Sequence, residues 1–186
     1  YVVNLKKGNF NEAEKYIIKI LKINNHDYST LRDLGYIKFL QNNFNEALTI
    51  YDKIKNKIKN DCFALNIYGL INYNLGKLDL SIVQFKKAIR SEPQYIDSYN
   101  NLGKVYFDLE DIDLAFSNFK KAYKLNQNFS KTLVNIGNIL SLKDKNIFAI
   151  LAFEKALKNT DQKNEVFGNM AIAYSRIKDL KNTIKY

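Results

Sequence analysis

Apolar residues along this chain recur at spacings of three and four, in paired stretches. Over 96–129, Tyr99, Leu102, Val105 and Tyr106 form one stripe, and Leu114, Ala115, Phe119 and Ala122 form a second. Such spacing places each stripe on one face of a helix. The pattern breaks between them at Glu110-Asp111-Ile112-Asp113, where acidic side chains suit the positive end of the second helix. One unit earlier, Gly76 stands where the first helix must end, because glycine readily takes the left-handed conformation that closes a helix. A link this short makes the two helices antiparallel neighbours.

The pair then repeats. Gly35, Gly69, Gly103, Gly137 and Ala171 follow one another at intervals of 34 residues. In step with them run the small residues Ala13, Ala47, Ser81, Ala115, Ala149 and Thr183, and the bulky residues Ile17, Tyr51, Phe85, Phe119 and Phe153. Three chemical classes in one phase mark a stacked repeat array. Each small residue is expected to let another helix backbone come close, with the bulky residue filling the space beyond. A larger side chain there would overpack the helix pair.

These residues resemble the tetratricopeptide repeat, whose pattern has a bulky residue at place 4, leucine-then-glycine at 7 and 8, small residues at 20 and 27, an aromatic at 24 and proline at 32. Over 62–95 the matching residues are Leu65, Tyr68-Gly69, Ser81, Phe85, Ala88 and Pro93. Over 96–129 they are Tyr99, Leu102-Gly103, Tyr106, Ala115, Phe119 and Ala122. Units 28–61 and 130–163 match through Leu34-Gly35, Ala47, Tyr51 and Ile136-Gly137, Ala149, Phe153, Ala156. The resemblance implies an all-α fold, a right-handed superhelical solenoid of stacked antiparallel helix pairs. It divides 1–186 into units 1–27 (partial), 28–61, 62–95, 96–129, 130–163 and 164–186 (partial), read as one solenoid fragment.

The departures are specific. Pro93 is the only proline, so Asn25, Lys59, Gln127 and Asp161 stand at its place elsewhere. Lys38 and Asn72 occupy the family's usual aromatic place 11, beside Phe39 and Tyr73. The stretch Lys53–Lys59 is a poor final turn, where a weaker contact between units is expected. The phase puts Tyr1 in the middle of a first helix and Tyr186 inside a second, so the piece reads as a fragment flanked by more repeats or by a different domain, with open ends that leave room for self-association.

Composition adds little to function. No apolar run approaches the ~18–20 residues of a membrane span, and no signal peptide is visible. Cys62 stands alone, which favours a reducing compartment, the cytoplasm. The net charge of +10 suggests nucleic acid or an anionic membrane. Yet 26 of the 29 cations are lysine beside abundant Asn, Ile, Tyr and Phe, the bias of an AT-rich genome. Lys19, Lys53, Lys87, Lys121 and Lys155 also share the place that faces outward in this family, where lysine is ordinary solvation. Nucleic acid is therefore not the expected partner, since RNA readers interleave arginine and exposed aromatics with the charge.

No catalytic set can be assembled and no cofactor is expected. His26 is the only histidine, Cys62 has no histidine near it in sequence or phase, and no Cys/His cluster has metal-ligand spacing. The glycines serve packing and turns, not a phosphate loop. The resemblance implies instead that each first helix lines a concave groove for a protein or peptide ligand. The early half of that groove is aromatic, through Tyr36, Phe39, Phe63 and Tyr73, with Ile67, Leu70 and Phe107. The late half is polar, through Asn100, Asn101, Lys104, Asn135, Asn138, Asn169 and Arg176. Asn101, Asn135 and Asn169 share one place two residues before the small residue. Their amides would form a ladder matched to a peptide backbone, resembling the repeat superhelix of O-linked N-acetylglucosamine transferases. The cations Arg32, beside Asp33, and Lys104, between Asp97 and Asp108, make no clean clamp for a carboxylate. A peptide-binding scaffold is the leading expectation. The alternatives are the recognition arm of a larger enzyme, such as a glycosyltransferase, and a lysine-rich face for RNA or anionic membrane.

Overall fold

The computed structural model describes residues 9–24, 27–161 and 163–178; Lys6, Asn25, His26 and Thr183 lie outside them. Among the described residues the backbone forms ten helices and no strand: α1 (Phe10–Ile23), α2 (Tyr28–Leu40), α3 (Phe44–Ile54), α4 (Cys62–Asn74), α5 (Leu78–Ser91), α6 (Ile96–Asp108), α7 (Ile112–Leu125), α8 (Ser130–Leu142), α9 (Asn146–Leu157) and α10 (Lys163–Arg176). The stripes pair α2 with α3, α4 with α5 and α8 with α9. The chain resolves into two compact units divided between Ser98 and Tyr99. Tyr51, Ile54, Leu65 and Ile71 anchor the core of the first, and Leu133, Phe153, Val166 and Met170 that of the second.

The described members of the in-phase series lie in the core, except Ala171, which is half-buried. Ala13, Ala47, Ser81, Ala115 and Ala149 are fully buried, as are Ile17, Tyr51, Phe85 and Phe153, with Phe119 at 1 % exposure. The reason for glycine differs from the expected one. A Cβ on Gly103 would lie 2.6 Å from Cε1 of Phe119, and one on Gly137 2.4 Å from Cε1 of Phe153. The aromatic ring itself, not a neighbouring backbone, occupies the space that the missing side chain leaves.

Two buried hydroxyls in these series lack a hydrogen-bond partner, Tyr51 Oη and Ser81 Oγ. Burial pushes the Tyr51 phenol far above its ordinary range. The equivalent residues Phe85, Phe119 and Phe153 carry no hydroxyl, and an unsatisfied buried hydroxyl costs ~1–3 kcal/mol. Tyr51→Phe is therefore expected to stabilise the protein by about 1 kcal/mol. A thermal melt shifted upward by roughly 2–4 °C would report it; an unchanged or lower midpoint would show that the hydroxyl has a partner.

The first helices close alike. Gly76 has φ +72°, as its position suggested, and Asn42, Glu110, Asp144 and Lys178 take the same left-handed conformation at φ between 56° and 61°. These five residues keep the 34-residue spacing. After α2, α4, α6 and α8, paired bonds such as Lys77 N–H to Asn72 O and Gly76 N–H to Tyr73 O, both 2.9 Å, satisfy the terminal carbonyls. At the acidic break, Asp111 caps α7 by accepting from the Leu114 N–H. The stretch Lys53–Lys59 does end its helix early, at Ile54. The contact it was expected to weaken is nevertheless filled: Ile54 and Ile58 are buried in one cluster with Leu65 and Tyr68.

Candidate functional site

In the second unit α6, α8 and α10 place polar side chains around an open cleft of about 430 Å³. Asn100, Asn101 and Lys104 come from α6, Asn135 and Asn138 from α8, and Glu165 from α10. Positions three and four apart fall on one helix face, which is why these residues converge. Lys104 and Lys131 line it together with Asp108 and Glu165, so the cleft carries both signs of charge. Asn169 does not line it. It lines an adjoining hollow of about 170 Å³ with Arg176, and Asn138 and Phe107 line both.

Asn100 has a different part from its neighbours. It is only 5 % exposed, and its Oδ1 accepts from Thr132 Oγ1 at 3.2 Å and from Asn135 Nδ2 at 3.0 Å. In the first unit Asn66 Oδ1 likewise accepts from Ser98 Oγ at 3.2 Å, one period earlier. The next equivalent pair is Val134 and Val166, both buried. These residues tie successive first helices together, by hydrogen bonds twice and by apolar contact once. A residue of α6 and one of α8 must be superposed to see the link, so single-helix reading misses it. Asn100 thus lies beneath the cleft as a prop for Asn135.

The aromatic residues of the first unit pack on one another. Tyr36 meets Phe63 edge-on at 5.1 Å between centroids and lies 6.5 Å from Phe39. All three, with Leu70, are half-buried against the core cluster. Tyr73 is half-buried at its expected place on α4. The departure at Lys38 also has a structural use: its ammonium bridges Glu14 at 2.8 Å and Glu46 at 2.7 Å, with its side chain 14 % exposed. Asn72, the other departure, is buried and donates from Nδ2 to the Tyr68 carbonyl at 2.8 Å.

Arg32 is committed to structure. It pairs with Asp33 at 2.8 Å and with Asp61 at 3.1 Å. Asp61 also caps α4 through the Ala64 N–H at 2.9 Å and accepts from Tyr28 Oη at 2.5 Å. Burial alone would raise the Asp61 carboxyl, but bonds from Tyr28, the Ala64 N–H and Arg32 hold it below its usual value. Burial, and then Asp61, push the Tyr28 phenol up to about 12. Burial, with the Asp61 charge second, raises the Cys62 thiol, away from thiolate character. Among the described residues no group of three or more His, Cys, Asp or Glu is placed to hold a metal ion, and no helix is long and apolar enough to cross a membrane. The recurrent lysines Lys19, Lys53, Lys87 and Lys121 are exposed, and Lys155 is half-buried over the Tyr123 ring.

Comparison with known proteins places this geometry. Two family models match, TPR repeat over 69–110 and tetratricopeptide repeat over 96–129. No curated protein matches the chain. Among solved structures, MamA is 25% identical with a TM-score of 0.72, covering 87% of this chain and 95% of its own. PilF of Pseudomonas aeruginosa is 18% identical with a TM-score of 0.86, covering 100% of this chain and 84% of its own. YrrB, described as a TPR protein with an unusual peptide-binding site, is 20% identical with a TM-score of 0.67, covering 91% and 87%. The shared fold is an all-α helical repeat solenoid.

Proposed function

We propose that this chain, which belongs to the tetratricopeptide repeat family, is a protein-interaction scaffold that takes an extended peptide segment in the asparagine-lined cleft of its second unit. One observation carries the reading. Asn100 accepts one Asn135 amide N–H at 3.0 Å, which fixes the amide's orientation. An asparagine amide has a second donor and an acceptor, and an extended peptide presents one C=O and one N–H per residue as their complement. Recognition of that kind is indifferent to the ligand's side chains. Selectivity would come from the charged residues in the lining, the cations Lys104 and Lys131 and the carboxylates Asp108 and Glu165. A peptide-binding site in the similarly folded YrrB agrees with this ligand class.

The test is a peptide-library selection on the chain, run beside the triple variant Asn101→Ala, Asn135→Ala, Asn169→Ala. The expected outcome is a set of extended peptides that the folded triple variant fails to enrich. Equal enrichment on both proteins would remove the asparagines from the site. Asn135→Ala alone is expected to weaken an enriched peptide by about 1 kcal/mol, roughly fivefold, with melting nearly unchanged because Thr132 still satisfies Asn100.

A further inference from the structure

The outer side of the second unit carries a second surface that the cleft does not use. α9 is apolar on both of its faces. Ala149, Ile150, Phe153 and Ala156 are buried inward, while Ile147, Phe148 and Leu151 remain 64 %, 62 % and 56 % exposed. A helix that is hydrophobic all round is ordinarily covered, and a contiguous apolar surface marks an interaction site. Leu151, Ala152 and Lys155 fall on one ridge of α9 at helical spacing, and Phe116, Lys120 and Tyr123 on one ridge of α7. Between these ridges lies a groove of about 390 Å³ whose floor is Leu133 and Ile136 of α8. α8 therefore supplies Leu133 and Ile136 to the groove and Asn135 and Asn138 to the cleft.

Charge selects the occupant. Lysines are the only charged residues in the lining, Lys120 on one wall and Lys155 on the other. Lys155 lies with its ammonium 5.2 Å from the Tyr123 ring centroid and 3.4 Å from Tyr123 Oη, while Lys143, 6.0 Å from the Phe116 ring, is already paired with Asp113 at 3.0 Å and adds no free charge. Phe116 and Tyr123 are seven residues apart, about 10 Å along the helix, or two turns. A groove of that length with an apolar floor and cationic edges is complementary to a short helix of opposite character. We infer that this groove docks an acidic amphipathic helix of a partner protein, which lays two or three large apolar side chains on Leu133 and Ile136 and sets carboxylates against Lys120 and Lys155.

The inference is independent of the cleft and is tested with the full chain and three labelled synthetic helical peptides of four turns. The first has leucine along one face and glutamate beside it, the second replaces glutamate by lysine, and the third replaces leucine by serine. Fluorescence anisotropy is expected to show binding of the first, with at least tenfold weaker binding of the other two. Leu151→Ser, at an exposed position, should weaken the first peptide by tenfold or more with helicity retained, while Asn135→Ala leaves it unchanged. Failure of the first peptide to bind would overturn the inference, as would binding indifferent to Leu151→Ser. Capture by phosphatidylserine-containing vesicles without peptide binding would overturn it in favour of a lipid surface.

Discussion

Replacing Gly103 by alanine is expected to destabilise this protein by about 1–2 kcal/mol, the opposite of what the change does in an ordinary helix. Alanine exceeds glycine in helix propensity by ~1 kcal/mol, so an unobstructed site would gain. Here the new Cβ would stand 2.6 Å from Cε1 and 2.8 Å from Cδ1 of Phe119, a ring 1 % exposed. The ring must move, and overpacking a close-packed core costs ~1–3 kcal/mol before the propensity gain is deducted. Gly168 provides the control within the same unit. A Cβ there meets nothing within 4 Å, so Gly168→Ala should stabilise by up to ~1 kcal/mol. Phe119→Leu should also cost less in the Gly103→Ala background than alone, because the two changes share one space. Denaturant midpoints for the four variants and the wild type decide the matter. A Gly103→Ala variant as stable as Gly168→Ala would show that the ring does not confine the glycine.

Asp61→Ala is expected to be comparably damaging, about 2–4 kcal/mol at neutral pH. The change removes a helix cap, worth ~1 kcal/mol, together with charge-assisted bonds from Tyr28 and Arg32. Arg32 keeps Asp33, and both side chains retain some solvent access, which holds the loss below that of a fully buried pair. Asp61→Asn separates the contributions, since asparagine caps as well as aspartate and should restore roughly 1 kcal/mol. The pH dependence has a definite sign. The folded carboxyl titrates below its ordinary 3.8, so its stabilisation is complete above that value and is lost as pH falls through the lowered one. Wild-type stability should therefore drop below about pH 4. Asp61→Asn, less stable at pH 7, should show a shallower drop; parallel acid limbs would remove Asp61 from the account.

The repeat register and the core were legible because both depend on residue size at fixed spacing. Glycine opposite phenylalanine and alanine at the helix crossing recur where packing leaves little choice. Helical spacing also brought two of the expected asparagines, Asn101 and Asn135, to one cleft, whereas Asn169 lines a different hollow and Tyr36, Phe39 and Phe63 pack on one another. What escaped the sequence depends on partners outside a single helix. Nothing about Asn100 in isolation distinguishes it from Asn101; Thr132, 32 residues on, makes it a structural acceptor. The left-handed turns at Glu110 and Lys178 were hidden because neither residue prefers that conformation, whereas Gly76 showed it directly. Asn42 and Asp144, at the same phase, are types that tolerate it and were the available signal. Ile147, Phe148 and Leu151 escaped because α9 is apolar nearly throughout, so spacing alone does not separate its exposed residues from its buried ones.

The most direct measurement of the central claim is nuclear magnetic resonance of the asparagine side-chain amides while an enriched peptide is titrated in. A peptide held by its backbone should shift the Nδ2–H signals of Asn101, Asn135 and Asn138 at the cleft. Asn66, buried at 3 % exposure in the first unit, is the internal reference and should stay in place. Saturable binding with the cleft amides unmoved would contradict the account and place the peptide elsewhere on the protein.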